Sequence, residues 1–249
     1  MDEKSLVELL FEAARAARSA LDELDDWGPN GEREGQYRLD VAADHAVVRV
    51  LGRAGLPILS EESGSHPGPL PLLAVVDPID GSTNAHRGLP MYSTSICVLD
   101  ERGPWVGVVK DHVSGHGFHA VRGQGAWRDG ASIRPSDCRL LPRSIVGVSG
   151  VMQSALGTWQ YRALGCASLE LCAVAEGSLD AYIPVGSADL RPWDYQAGAL
   201  ICQEAGAVVT EARNRDLWVR DAQHRAPAAA ATPELLAALL EAVARSERR

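Results

Sequence analysis

The chain is poor in lysine, in phenylalanine and in long apolar runs. Of its 24 basic residues only Lys4 and Lys110 are lysines, and phenylalanine occurs at 2 positions. We attach no function to the skew towards arginine. Bases are outnumbered by 33 acids, which leaves a formal net charge of −9. A nucleic-acid backbone requires a basic face, so this balance argues against a nucleic-acid polymer as the main partner. No apolar stretch approaches the roughly 18 residues that a membrane span needs, so no membrane partner is expected. The N-terminal segment carries acids at positions 2 and 3 and no small-residue cleavage pattern, so no secretory leader is expected. The five cysteines (Cys97, Cys138, Cys166, Cys172 and Cys202) are odd in number and include no C-x-x-C pair. They read as reduced and mostly buried, without a zinc site, which suits the cytoplasm. Neither an internal repeat nor a low-complexity linker is present.

What remains is globular: 249 residues, 46% hydrophobic and 23% charged. That length allows one large domain or two small ones sharing a core. Apolar residues recur at helical spacing over 5–24, and a second helix is expected from about 41 to 53 with Asp40 as its N-cap. Residues 26–38 and the stretch SGSHPGPLP read as loops. PILS (57–60) and LLAVV (72–76) read as strands, the second one buried. From 92 to 128, β-type runs separated by glycine turns predict an antiparallel meander. Residues 129–143 look loop-like. Further strands are expected at 145–149, 179–183 and 207–210. Helices are expected at CASLELCAVAEG, closed by Gly177, at 192–205 behind Pro192, and from Pro233 to about Ser246 behind Thr232. These elements do not alternate as βαβ units. Layered helices and mixed sheets fit better than a doubly wound or barrel architecture.

The segment Asp77-Pro78-Ile79-Asp80-Gly81-Ser82-Thr83-Asn84 is the most informative. A buried strand delivers two aspartates into a tight turn, where Pro78 fixes φ and Gly81 relaxes it. Two readings fit: a divalent cation between the carboxylates, or an Asx-rich turn that caps a helix. Glu61 and Glu62 follow a short strand and could be a solvated edge. Asp194 stands in a first helical turn, where an acid also suits the helix dipole. Asp44 lies within a helix among alanine and valine. All four segments place an acid at the end or edge of an apolar element.

In order and texture these segments resemble the inositol monophosphatase family of fructose-bisphosphatase-like, metal-dependent, lithium-sensitive phosphatases. The family's D-P-(I/L)-D-G-(T/S)-x-N stands at Asp77–Asn84 and its G/S-E-E-S at Ser60–Ser63. Its R-x-x-G-(S/C)-A-(S/A) element stands at Arg162–Ser168, and its W-D-x-x-A-G followed by E-A-G at Trp193–Gly198 and Glu204–Gly206. The resemblance implies an α/β fold, a layered α-β-α-β-α sandwich with mixed, largely antiparallel sheets. Residues 1–140 would hold the main metal motifs and 141–249 the Trp-Asp motif, as one catalytic unit. It also implies a homodimer and an Mg²⁺-dependent phosphomonoesterase acting on a small phosphorylated metabolite such as inositol monophosphate. Carried over by position, Glu61, Asp77 and the Ile79 carbonyl would hold one ion, and Asp77, Asp80 and Asp194 a second. Glu61 and Asp44 would hold a weaker third. Gly81 and Ser82 would meet the phosphate through backbone N–H groups, and Asp44, Ser82 and Glu61 would be catalytic. Gly165, Cys166, Ala167, Asp189 and Arg191 would face the substrate.

The chain departs from the family where D-x-V-T-x-x-D-x-x-x-E becomes Arg38-Leu39-Asp40-Val41-Ala42-Ala43-Asp44-His45-Ala46-Val47-Val48, which keeps Asp44 but lacks the threonine and the trailing glutamate. The segment before Trp193 also differs, which leaves the leaving-group alcohol open. Histidinol phosphate, fructose 1,6-bisphosphate and 3′-phosphoadenosine 5′-phosphate are the alternatives, and a catalytically silent phosphometabolite binder is the non-enzymatic one. Residues 32–38 read most simply as a solvated loop; the resemblance implies a flap over the site there, with Arg33 or Arg38 approaching the phosphate. Cys166 reads as a buried or pocket-lining thiol. His112, His116 and His119 fall in the meander on different faces, and Trp105, Trp127 and Trp159 read as packing residues.

Overall fold

The computed structural model describes residues 1–31 and 35–247. Arg33 of the expected flap lies outside them, and Arg38 pairs with Asp26. Helix α1 (Glu3–Asp22) starts where the Asp2 side chain accepts from the Ser5 N–H at 2.8 Å. Helix α2 (Arg38–Arg53) begins earlier than expected. Asp40 is not its N-cap: its carboxylate lies within the first turn and accepts from the Tyr37 N–H at 2.9 Å.

Eight strands form the first sheet: β1 (Ile58–Ser60), β2 (Gly64–His66), β3 (Leu73–Asp80), β4 (Ser93–Asp100), β5 (Gly103–Asp111), β6 (Gly117–Val121), β7 (Gly125–Arg128) and β8 (Ala131–Ser132). Their order is β2-β1-β3-β4-β5-β6-β7-β8. Every pair is antiparallel except β1–β3. Helix α3 (Ser82–Arg87) leaves the end of β3. The second sheet contains β9 (Ile145–Ser149), β10 (Gln160–Arg162), β11 (Ala181–Pro184), β12 (Val208–Glu211) and β13 (Pro227–Ala230), ordered β10-β9-β11-β13-β12. Its first three strands run parallel, and β13 pairs antiparallel on both sides. Helices α4 (Ala167–Ala175) and α5 (Pro192–Ala205) lie between the sheets, and α6 (Pro233–Glu247) covers the outer face of the second.

Strand alternation builds these layers. Along β3, Ala74 and Val76 join the core under α1 and α2, while Leu73 and Val75 face the core around α4 and α5. On β11, Ala181 and Ile183 face α6, whereas Tyr182 faces the middle layer. Successive side chains on a strand point to opposite faces, so one buried strand serves two cores. The result is the expected α-β-α-β-α stack.

The meander and α5 fall where the sequence places them. Strands β2, β8, β10 and β13 do not, β8 lying in the 129–143 stretch read as loop-like. β2 lies inside the stretch read as a loop, and β13 lies in the alanine run. Cys97, Cys166, Cys172 and Cys202 are buried. Trp159, expected to pack, is 62% exposed, beside the likewise exposed Tyr161 and Val151. Among the described residues no helix is long and apolar enough to cross a membrane.

Candidate metal centre

The site forms where the two halves of the chain meet. β1 runs parallel to β3 in a register that sets Ser60 beside Val76, and the Glu61 N–H then donates to the Val76 carbonyl at 3.1 Å. Glu61 therefore emerges next to Asp77. Asp77 pairs with Ser95 and Asp80 with Ser93, so three residue steps along β3 match two along β4. This is a β-bulge. Without it, strand alternation would send the two aspartates to opposite faces; one extra residue returns them to the same side.

Side chains secure the bulge. The Thr94 hydroxyl donates to the Pro78 carbonyl at 2.7 Å and lies 2.7 Å from His112 Nε2. With the hydroxyl proton committed to Pro78, Nε2 must be the donor in that second bond. Burial lowers the His112 pKa to about 4, which keeps the ring neutral. Gly81 follows with φ at 85°, and a Cβ there would meet the Met91 carbonyl at 2.8 Å. Both the backbone angle and the space require glycine. Asn84 then donates from Nδ2 to Met91 O at 2.9 Å and to Leu164 O at 2.7 Å, tying this turn to the segment before α4.

Asp194 arrives from the first turn of α5, behind Pro192, and its Oδ2 accepts from the Arg191 N–H at 2.8 Å. Glu61, Asp77 and Asp194 each bring a carboxylate oxygen to within 4.8 Å of the others. Asp77 is buried and its Oδ1 has no hydrogen-bond partner. Burial, reinforced by the charges of Glu61, Asp80, Asp194 and Asp40, pushes the Asp77 carboxyl well above its usual range. Burial and the charges of Glu61 and Asp80 do the same to Asp194. An all-oxygen set with a buried, unpartnered oxygen fits a hard divalent cation, which would cancel this repulsion.

The other expected residues lie around this trio. Asp80 is held on Oδ2 by Ser168 and Cys166 at the start of α4. Asp44 is buried, and its Oδ1 accepts from the Ser60 hydroxyl at 2.5 Å, one residue before Glu61. Ile79 sits in the bulge with its side chain in the core under α1 and α2. Gly81 caps α3, of which Ser82 is the first residue. Gly165 has φ at 74°, Cys166 caps α4, and Ala167 begins it. Burial and the Asp80 charge raise the Cys166 thiol well above its usual value, so it is no nucleophile. Asp189 pairs with Arg213 at 2.8 Å and Arg215 at 3.0 Å, and Arg191 reaches the Ala222 carbonyl. The three meander histidines stay apart: His112 supports the bulge, His116 pairs with Asp129, and His119 stacks on Trp127.

Sequence reasoning gave no site role to Asp40, nor to Ser60 and Ser168, although the last two stand inside the motifs quoted above. Asp40 was legible in principle, since it lies one helical turn before Asp44 on the same face. Ser168 meets Asp80 from 88 residues along the chain, a contact that its motif alone does not show.

Comparison with known proteins gives the chain a family and a fold. A model described as the inositol monophosphatase family matches residues 4–248. The Nus factor SuhB of Pasteurella multocida is 34% identical over 194 residues, 70% of this chain and 70% of that protein. A hypothetical protein from Pyrococcus horikoshii, described as having similarities to inositol-1 monophosphatase, superposes with a TM-score of 0.88. It covers 97% of this chain and 99% of its own at 23% identity, a likeness of fold alone. The inositol monophosphatase from Anabaena (Nostoc) gives a TM-score of 0.81 at 26% identity, over 98% of this chain and 96% of that one.

Proposed function

The chain belongs to the inositol monophosphatase family, and we propose that it hydrolyses a small sugar or polyol phosphate, such as inositol monophosphate, with Mg²⁺. The observation that carries this reading is the convergence of Glu61, Asp77 and Asp194 around a buried oxygen with no partner. In this reading Glu61, Asp77, Asp80, Asp194 and the Ile79 carbonyl hold two ions, with Asp44 contributing to a weaker third. Bound Mg²⁺ supplies charge neutralisation, a more acidic water and a stabilised leaving oxygen.

The chain's own residues do the rest. The backbone N–H groups of Gly81 and Ser82 precede the first intrahelical bond of α3, from the Ala85 N–H to the Gly81 carbonyl, so they have no carbonyl within the helix to pair with and would present the phosphate with donors. Asp44, anchored through Oδ1 by Ser60, has Oδ2 left to accept a proton from the attacking water. Gly165 and Ala167, with Asp189 and Arg191, form the alcohol side, whereas Cys166, expected there too, is fully buried behind Asp80. Asp194 comes from 141–249 and the other acids from 1–140, so the two parts make one catalytic unit. We further infer inhibition by Li⁺, a homodimer, and a cytoplasmic location.

The test is phosphate release from a panel of inositol, fructose, histidinol and adenosine phosphates, with and without Mg²⁺. We expect Mg²⁺-dependent release, fastest from a polyol phosphate. Faster release from histidinol phosphate, fructose 1,6-bisphosphate or 3′-phosphoadenosine 5′-phosphate would reassign the substrate within the family. No release from any member, with Mg²⁺ still bound, would leave a catalytically silent binder. One finding favours such a second role: the Pasteurella relative is named a Nus factor, which is not the name of an enzyme. That name is in tension with the expectation, read from charge, that no nucleic-acid polymer is a partner.

A further inference from the structure

We infer that Ser168, itself held by Ser93, is a positioning residue for Asp80 and thereby sets the affinity of the acid cluster for a divalent cation. This rests on the metal-centre reading above and goes beyond its list of ligands. Asp80 Oδ2 receives the Ser168 N–H at 2.7 Å, the Ser168 hydroxyl at 2.6 Å and the Cys166 thiol at 3.2 Å. The Ser93 hydroxyl lies 2.8 Å from the Ser168 hydroxyl. Ser168 has one hydroxyl proton and spends it on Asp80, so the Ser93 hydroxyl must donate to Ser168 Oγ. The chain of donors therefore has one direction, from β4 through α4 to the carboxylate. Ser93, Cys166 and Ser168 are all 0% exposed, so no water competes for these bonds.

The consequence for the cation follows from where α4 is anchored. Asp80 is close enough to Asp77 and Asp194 for its charge to act on both. It is not one of the three carboxylates gathered within 4.8 Å. One of its oxygens is committed to α4, so only the other is offered to an ion. Helix α4 is in turn locked to α5, which carries Asp194. A Cβ at Gly198 of α5 would stand 2.8 Å from Leu171 Cβ, and the Cys202 thiol donates to the Leu171 carbonyl at 3.0 Å. Tying Asp80 to α4 therefore fixes it relative to Asp194, although the two come from different halves of the chain. Hydrogen bonds that orient a ligand in this way govern metal affinity as well as geometry.

The experiment is titration of the whole chain with Mg²⁺ alone, followed by calorimetry, together with urea unfolding of the metal-free proteins. Ser168→Ala is expected to weaken Mg²⁺ binding by about 10-fold. Ser93→Ala is expected to weaken it by a smaller factor, and the double variant to lose far less than the sum of the two, because Ser93 reaches Asp80 mainly through Ser168, its other contact being the Cys166 thiol at 3.5 Å. Unchanged Mg²⁺ affinity in Ser168→Ala, even with a lowered urea midpoint, overturns the inference and leaves a structural role. Additive losses overturn the relay. Should Ser168→Ala fail to fold, Ser93→Ala decides by itself, and unchanged affinity there counts against the inference. A parent protein that binds no Mg²⁺ overturns the metal-centre reading as well, which separates the two failures.

Discussion

Glu170 and Glu211 are both buried acids, and their surroundings drive them in opposite directions. Glu211 accepts from the N–H groups of Arg213, Arg215 and Ala226 and from Arg215 Nε, all between 2.8 and 2.9 Å. Burial alone would raise its pKa; these donors outweigh burial and bring it to about 2. Glu170 has one long bond, from the Leu164 N–H at 3.4 Å, and its Oε2 has no partner. Burial pushes it up to about 8, the amides around Leu164 oppose this weakly, and the charge of Asp80 adds to it. The sign for stability follows. Between the ordinary value of 4.5 and about 8, folded Glu170 keeps a proton that the unfolded chain releases. Folding stability therefore falls as pH rises through that window, by up to about 1.4 kcal/mol per pH unit from this residue. Glu170→Gln does not titrate, so the variant gains on the parent between pH 5 and pH 8. Urea unfolding of both proteins at the two pH values measures this, and an unchanged difference between them would sink the assignment.

Helix α5 shows what was legible at the scale of elements. Proline at its first position and glycine after its last bracket a helix that the structure places at Pro192–Ala205, as read. Its interior glycine carries a message that periodicity does not. An added Cβ at Gly198 would meet Leu171 Cβ at 2.8 Å and the Ser168 carbonyl at 3.1 Å. Both atoms are fixed by the α4 backbone and cannot swing aside. Gly198→Ala is expected to lower stability by about 1–3 kcal/mol through overpacking, despite alanine's better helix propensity, read as a lower urea midpoint at unchanged slope. A stabilised variant would show that α4 and α5 have room to part. The missed strands failed for a related reason. Ala228, Ala229 and Ala230 of β13 have little strand propensity, yet they fit because both faces are closely packed. In β2, Gly64-Ser65-His66 has no apolar alternation and is a strand only because β1 offers it an edge. The end of α2 was misread because Asp40 satisfies a backbone N–H from inside the first turn, where a cap was expected outside it. The DPID turn was legible as a pair of acids. That a bulge turns both to one side was not, because register depends on the partner strand.

At the scale of the whole molecule, the net charge of −9 is unevenly placed. Part of it is compressed where β1, β3 and α5 meet, so the first sheet and the central helix layer are joined through mutually repelling carboxylates. Native structures retain such strain when a ligand relieves it. A cation that binds the folded chain and not the unfolded one stabilises by mass action, by about 2.7 kcal/mol at a hundred times its dissociation constant. Mg²⁺ should therefore raise the melting temperature, and chelation should reverse the shift. Asp77→Asn separates the two sides of this arrangement. It keeps the shape of the side chain and removes the charge lying among Glu61, Asp80, Asp194 and Asp40. The metal-free variant should melt above the metal-free parent, because the buried repulsion is gone. It should also lose most of the response to Mg²⁺, because an amide is a poor substitute for a carboxylate between cations. The two effects have opposite signs and come from one substitution, so general damage to the fold cannot imitate them. A variant that melts lower in both states would show that Asp77 is structural, and one that keeps the full Mg²⁺ shift would show that the ion binds elsewhere.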